Sequence, residues 1–201
     1  MQKIGVFGGT FDPVHYGHIY LVKQAIDECA LSQVVVIPAN EQPFKLDQAV
    51  TKGVHRYNMA KLAFEHDDKI SVSDIELKKG DISYTVDTLR ELKKRYGEDA
   101  QISFIAGTDT FLKIEQWKGA DELLNDYSFI IGTRPGYRES ELDDVISRLK
   151  GYYNTEVVKI NNVQIPVSST EIKEMIKSGK GCGEALPPEV ERYITANELY
   201  S

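Results

Sequence analysis

Six short apolar runs are spaced along the chain: KIGVFG (3–8), QVVVIP (33–38), ISVSDI (70–75), QISFIAG (101–107), YSFIIG (127–132) and EVVKI (156–160). Each is rich in Val, Ile or Phe and stops near Gly, Pro or a polar turn, as strands buried on both faces do. Longer stretches between them carry helical spacing. HIYLVKQAIDECA puts Ile19, Val22, Ala25, Ile26 and Cys29 on one face. TVDTLRELKKRYG does the same with Val86, Leu89, Leu92 and Tyr96, and Gly97 is a stop signal. LPPEVERYITANELYS reads as one more helix, opened by Pro187 and Pro188. Strands alternating with helices predict an α/β chain, a mainly parallel sheet with helices on both faces. With no internal repeat or low-complexity tract, residues 1–201 read as one domain whose C-terminal part, from about 166 to 201, is helical. The one long polar connection, PANEQPFKLDQAVT (38–51), has a length that in compact domains often carries function.

Composition changes this picture only modestly. Of 201 residues 41% are hydrophobic, enough for one well-formed core. No run approaches the ~20 apolar residues of a membrane span, and residues 1–7 read as a buried strand, not a signal peptide. The expectation is a soluble cytoplasmic protein with no membrane partner. The 24 Lys and Arg against 31 Asp and Glu give a net charge of −7, which argues against nucleic-acid binding. A few local donors can still bind a small anion. Cys29 and Cys182 lack zinc-site spacing and read as ordinary thiols.

The densest chemistry lies in GVFGGTFDPVHYGH (5–18), at the end of the first predicted strand. Open parallel sheets bind ligands beyond the C-terminal ends of their strands. Gly8 and Gly9 let backbone N–H groups approach a ligand closely, and a helix start just beyond favours anions. The stretch is neither a G-x-G-x-x-G fingerprint nor a P-loop, and a Gly-Gly pair by itself is as readily a tight turn. His15 and His18, three residues apart, project from one side of a first helical turn, with Gly17 leaving room between them. No third and fourth ligand stands close in sequence, so no metal site is assigned. Backbone amides, a helix dipole and paired imidazoles together suit a polyphosphate; two surface histidines beside a turn are the bland alternative.

These residues resemble the nucleotidyltransferases that carry a T/HxGH signature. GGTFDPVHYGH, PFK (43–45), SYTVDTL (83–89), GTDTFLKIEQW (107–117), RPG (134–136) and VSSTEIK (167–173) fall in the order of the bacterial nicotinate-nucleotide adenylyltransferases. The resemblance spans nearly the whole chain. It implies a Rossmann-like three-layer sandwich and the reaction of ATP with nicotinate mononucleotide to give nicotinate adenine dinucleotide and pyrophosphate, in NAD biosynthesis. Mg²⁺ would be carried with ATP, so no carboxylate cluster is needed. His15, His18, Lys45 and Lys173 would offset phosphate charge. ATP would be held by Gly8, Gly9, Thr10, Phe11, Gly107, Asp109, Arg134, Ser168, Ser169 and Thr170, and the mononucleotide by Thr85 and Trp117.

Several of these matches have a plainer reading beside the functional one. VSSTEIK begins a helix that Ser168 or Ser169 would cap, with Glu171 in an ordinary capping box. The resemblance adds ATP phosphates at that helix start, with Lys173 nearby where the family more often has Arg; Lys brings charge without a bidentate fork. Asp109 could bind a ribose hydroxyl pair or cap the next helix. Trp117, the single Trp, reads as a core anchor. The resemblance makes it the face for the nicotinate ring, with Thr85 and backbone amides reading the carboxylate. The family's Pro-His-Lys is Pro43-Phe44-Lys45 here, so Lys45 alone would carry that phosphate contact.

Two other classes share part of this pattern. A transferase using phosphopantetheine would keep the ATP motifs and lack the SYTVDTL and Trp117 segment. A non-catalytic nucleotide sensor would be expected to lose His15 or His18, and both are present. The expected partners are therefore ATP and nicotinate mononucleotide, with homo-oligomer formation left open.

Overall fold

The computed structural model describes residues 2–41, 50–133, 138–161 and 168–201. All six apolar runs form strands of one sheet: β1 (Lys3–Gly9), β2 (Gln33–Pro38), β3 (Ile70–Val72), β4 (Gln101–Gly107), β5 (Ser128–Thr133) and β6 (Glu156–Asn161). Neighbours pair in parallel in the order β3-β2-β1-β4-β5-β6. The third run is a shorter strand than its pattern predicts, because the chain turns into a helix at Ile75.

Strand side chains alternate between two cores even though the runs read as continuously apolar. Ile4, Val6, Val35, Ile37, Phe104 and Ile131 point to one face, and Phe7, Val34, Val36, Ile105 and Ile130 to the other. On the second face pack α1 (Tyr16–Cys29), α2 (Gly53–Phe64), α8 (Ser169–Lys177) and α9 (Pro188–Ala196). On the first lie α3 (Ile75–Lys79), α4 (Thr85–Tyr96), α5 (Thr108–Phe111), α6 (Ala120–Asp126) and α7 (Glu139–Lys150). The expected Rossmann-like three-layer sandwich is thus observed, with its C-terminal helices. Gly5, in the middle of β1, is required by packing: a Cβ there would lie 2.8 Å from Leu31 and 2.9 Å from Val34.

In this order β1 sits between β2 and β4, where the direction of winding reverses and a crevice opens above the strand ends. One buried side chain ties the loops around that crevice together. Arg56 of α2 is 2% exposed. Its Nε donates to Thr51 O at 2.8 Å, Nη1 to Thr10 O at 2.8 Å and Ala39 O at 2.7 Å, and Nη2 to Asn40 O at 3.3 Å. The loops after β1 and β2 and the entry to α2 are held by one guanidinium, whose planar fork reaches several acceptors at once.

Arg56→Met should therefore lower the unfolding free energy by about 3 kcal/mol, since one buried and three half-buried carbonyls lose their donor. Arg56→Lys should recover less than half of that, because an ammonium cannot span the same acceptors. Urea denaturation measures both, and a Met variant as stable as wild type would show that Arg56 does not clamp these loops.

Candidate active site

At the end of β1 the chain passes through Gly8, Gly9, Thr10 and Phe11 before the Asp12–Pro13 cis peptide and the start of α1. Phe11 takes φ 49°, a region that bulky residues rarely adopt. Its ring is buried and meets the edge of His18 at 5.2 Å and of Phe7 at 5.2 Å. A Cβ on Gly9 would stand 2.9 Å from that ring, so Gly9 lets the loop fold over its own phenyl group. The Phe11 ring is thus packed into the core beside Phe7 and His18.

The two histidines are built into the helix terminus. His15 is the N-cap of α1, and its Nδ1 accepts from Gly17 N at 3.1 Å. His18 Nδ1 in turn accepts from His15 N at 3.2 Å, which completes a capping box made of imidazoles. The rings lie 3.8 Å apart, centroid to centroid. With both Nδ1 atoms acting as acceptors, each neutral ring carries its hydrogen on Nε2. Two N–H donors and the helix's positive end therefore share one locus, an arrangement suited to phosphate oxygens. Gly17 serves the ring, not a ligand: a Cβ there would lie 2.9 Å from His15 Cε1.

α8 reaches the same loop. Ser168 caps it with Glu171, as the capping-box reading expects, and Ser169 Oγ donates to Pro13 O at 2.9 Å. Lys173 Nζ lies 3.2 Å from Asp12 Oδ2. Thr170, in the first turn, is exposed. Asp12 is buried at 4% exposure and also accepts from Tyr200 Oη at 2.6 Å and from Thr51 N at 3.3 Å. Burial pushes its carboxyl up, but the hydrogen bonds from Tyr200 and Thr51 and the Lys173 charge outweigh it and hold the group below its ordinary value. Burial and the Asp12 contact push the Tyr200 hydroxyl well above its own.

Thr85 opens α4 and Trp117 follows on the same face of the sheet, apart from the histidines. Trp117 is half-buried and packs edge-on against Phe104 at 5.7 Å, so its core contact is real while part of the ring stays open. The segment before α4 is tied to the loop after β2 through Asn40 N to Ser83 Oγ at 3.0 Å and Ser83 N to Glu41 O at 2.8 Å. Beneath it Glu76 accepts from Thr88 Oγ1 at 2.7 Å. Burial raises the Glu76 carboxyl, and hydrogen bonds from Ser83 and Thr88 offset this only in part. A cavity of about 470 Å³ borders Glu76, Ser83, Tyr84, Thr88 and Lys118.

Gly107 is the N-cap of α5 with open space around it, and Asp109 stands in the first turn of that helix. Asp109 accepts from Arg138 Nη1 at 2.9 Å on the surface. Lys45, Phe44 and Arg134 lie outside the described residues. Among the described residues no three of His, Cys, Asp or Glu gather as a metal-binding group, and no helix is long and apolar enough to cross a membrane. Reading the sequence missed Arg56, Asp12, Glu76 and Tyr200. The Asp-Pro turn could have flagged Asp12; nothing local marks the others, whose partners are distant in sequence.

A family described as cytidylyltransferase-like matches residues 6–175. A protein of Thermoanaerobacter sp. (strain X514) named "Probable nicotinate-nucleotide adenylyltransferase" is 39% identical, covering 98% of this chain and 94% of its own. One of the same name from Moorella thermoacetica is 37% identical, covering 98% and 91%. The Plasmodium falciparum nicotinic acid mononucleotide adenylyltransferase complexed with NaAD superimposes with a TM-score of 0.81 at 21% identity, over 100% of this chain and 98% of that one. At that identity the superposition speaks for the fold.

The lowered Asp12 carboxyl has a measurable consequence. Its ionised form contributes stability that is fully present above the unfolded value of 3.8 and is lost as pH falls through the lower folded value. Asp12→Asn should be less stable than wild type at pH 7 by about 1–3 kcal/mol, and the gap should close below about pH 4. A gap that widens in acid would contradict this assignment.

Proposed function

The chain belongs to the cytidylyltransferase-like family, and from that premise we propose that it transfers the adenylyl group of ATP to nicotinate mononucleotide, giving nicotinate adenine dinucleotide and pyrophosphate in NAD biosynthesis. The observation that carries the reading is the imidazole capping box at the end of β1, which fixes two Nε2–H donors at a helix N-terminus beside the sheet's crevice. Relatives matched over nearly their full length and named for this activity supply the substrate class. The function sits in the cytoplasm, where such nucleotides are made and used.

The chemistry asks little of a general base. A phosphate oxygen of the mononucleotide, already anionic near neutral pH, attacks the α-phosphorus of ATP in line. A new P–O bond forms as the bond to the β-phosphate oxygen breaks, and pyrophosphate leaves with the electron pair. Positioning and charge stabilisation do the rest. On this reading His15 and His18 donate to the phosphates, assisted by the amides after Gly8 and Gly9. Lys173 and Lys45 add positive charge, and Ser168, Ser169 and Thr170 take part at the start of α8. Gly107, Asp109 and Arg134 flank the adenylate.

The described donors are imidazole, ammonium and hydroxyl groups, and the buried carboxylate beside the histidine loop, Asp12, is engaged by Tyr200, Lys173 and Thr51. That set suits phosphate oxygens, with Mg²⁺ held by ATP itself and supplying further charge neutralisation. Thr85 and neighbouring amides face the acceptor's ring substituent, and Trp117 offers the ring a stacking surface.

His18→Asn keeps an acceptor at the Nδ1 position for the capping bond and deletes the Nε2 donor. It should fold with near wild-type stability while turnover falls about 10²–10³-fold, read by pyrophosphate release; normal turnover would take His18 out of the chemistry. Acceptor choice tests the substrate. An amide in place of the carboxylate presents hydrogens to donors and leaves them unpaired, at roughly 1–3 kcal/mol. The specificity constant for nicotinate mononucleotide should exceed that for nicotinamide mononucleotide at least ~10-fold. Equal use, or turnover of phosphopantetheine instead, would sink the assigned acceptor and leave adenylyl transfer standing.

A further inference from the structure

Lys173 brings a point charge on a flexible four-carbon stem to a place where a phosphate must be met, so its usefulness depends on what aims it. In the structure it is aimed by Asp12. One carboxylate oxygen, Oδ2, takes Lys173 Nζ at 3.2 Å and Thr51 N at 3.3 Å; the other, Oδ1, takes the Tyr200 hydroxyl at 2.6 Å. Tyr200 also faces the cation directly, with Nζ 6.0 Å from its ring centroid. Its backbone stands at φ 67°, a conformation an aromatic residue rarely holds unless its surroundings impose it. Its side chain packs against the core that α1, α8 and α9 share.

We propose that Tyr200 is a positioning residue for Lys173: it occupies one oxygen of Asp12 so that the carboxylate offers the lysine a single oxygen, and the ammonium stays at the loop after β1 for the ATP phosphates. This rests on the adenylyltransferase reading. Without the hydroxyl, Oδ1 is a buried acceptor with no donor from Tyr200. The carboxylate then turns to engage Lys173 with both oxygens. The cation is drawn inward, and phosphate must compete with a chelating carboxylate instead of a single contact. The residue acts through Lys173 and touches no reacting atom.

The test uses the full chain and two substitutions. Tyr200→Phe keeps the ring and deletes the hydroxyl. It should weaken ATP binding, measured by calorimetry with Mg²⁺ and no mononucleotide, by about fivefold. The KM for ATP should rise in parallel, and the KM for nicotinate mononucleotide should stay within about twofold. In a Lys173→Ala background the same Tyr200→Phe change should have no further effect on ATP affinity, because nothing remains to be aimed. A purely structural tyrosine would lower Tm and move both substrates together, or would add its loss to that of Lys173→Ala; either result overturns the proposal, as does unchanged ATP affinity. A wild-type chain that binds ATP but does not use nicotinate mononucleotide overturns the proposed acceptor and leaves the calorimetric cycle decisive. One that binds no ATP overturns both.

Discussion

The crevice exists because one buried guanidinium holds three pieces of backbone at fixed separations. Carbonyls at Thr10, Ala39, Asn40 and Thr51 all accept from Arg56, and the buried one, at Ala39, would lose that donor without it while the other three are half-buried. The loop that carries the histidines, the loop that approaches the α4 segment and the entry to α2 are therefore not independent. Through Asn40 and Ser83 the same network extends toward Thr85, so the two halves of the proposed site share a common support.

The histidines show the same economy on a smaller scale. Each uses its Nδ1 to complete a helix terminus, and the proposed phosphate contact falls to Nε2. Capping by Ser or Asp would satisfy the same amides, but it would place no N–H donor above the helix end. On the proposed reading, the second nitrogen is what a His at the N-cap adds. Phe11, folded beneath His18 in a conformation its size disfavours, holds the outer ring at its angle.

Much of this was legible in the sequence, and the limits are physical. Buried parallel strands announce themselves by composition, so all six were found; β3 came out short because the helix-forming residues after Val72 began earlier than the apolar pattern implied. α4 and α9 carry clean amphipathic spacing and end or begin at Gly97 and Pro188. α2 does not, since the residue at the centre of its buried side is Arg56. Ser168 and Glu171 were readable as a cap because the motif is local. Asp12 with Tyr200, or Arg56 with Thr10, are pairs whose meaning appears only after the sheet has brought distant segments together. Asp109 was ambiguous for a related reason: its partner Arg138 lies beyond the next strand.

The seams that close the site also join the most distant stretches of sequence. Ser169 bonds Pro13 across 156 positions and Tyr200 bonds Asp12 across 188. Contacts of such separation carry the largest loop-closure cost and come late in folding. The sheet around β1 can be nearly complete while the loop after it still lacks α8 and Tyr200. On warming, these seams are the ones whose opening leaves the central strands paired, so adenylyl transfer should fade before the far-ultraviolet signal of the sheet does.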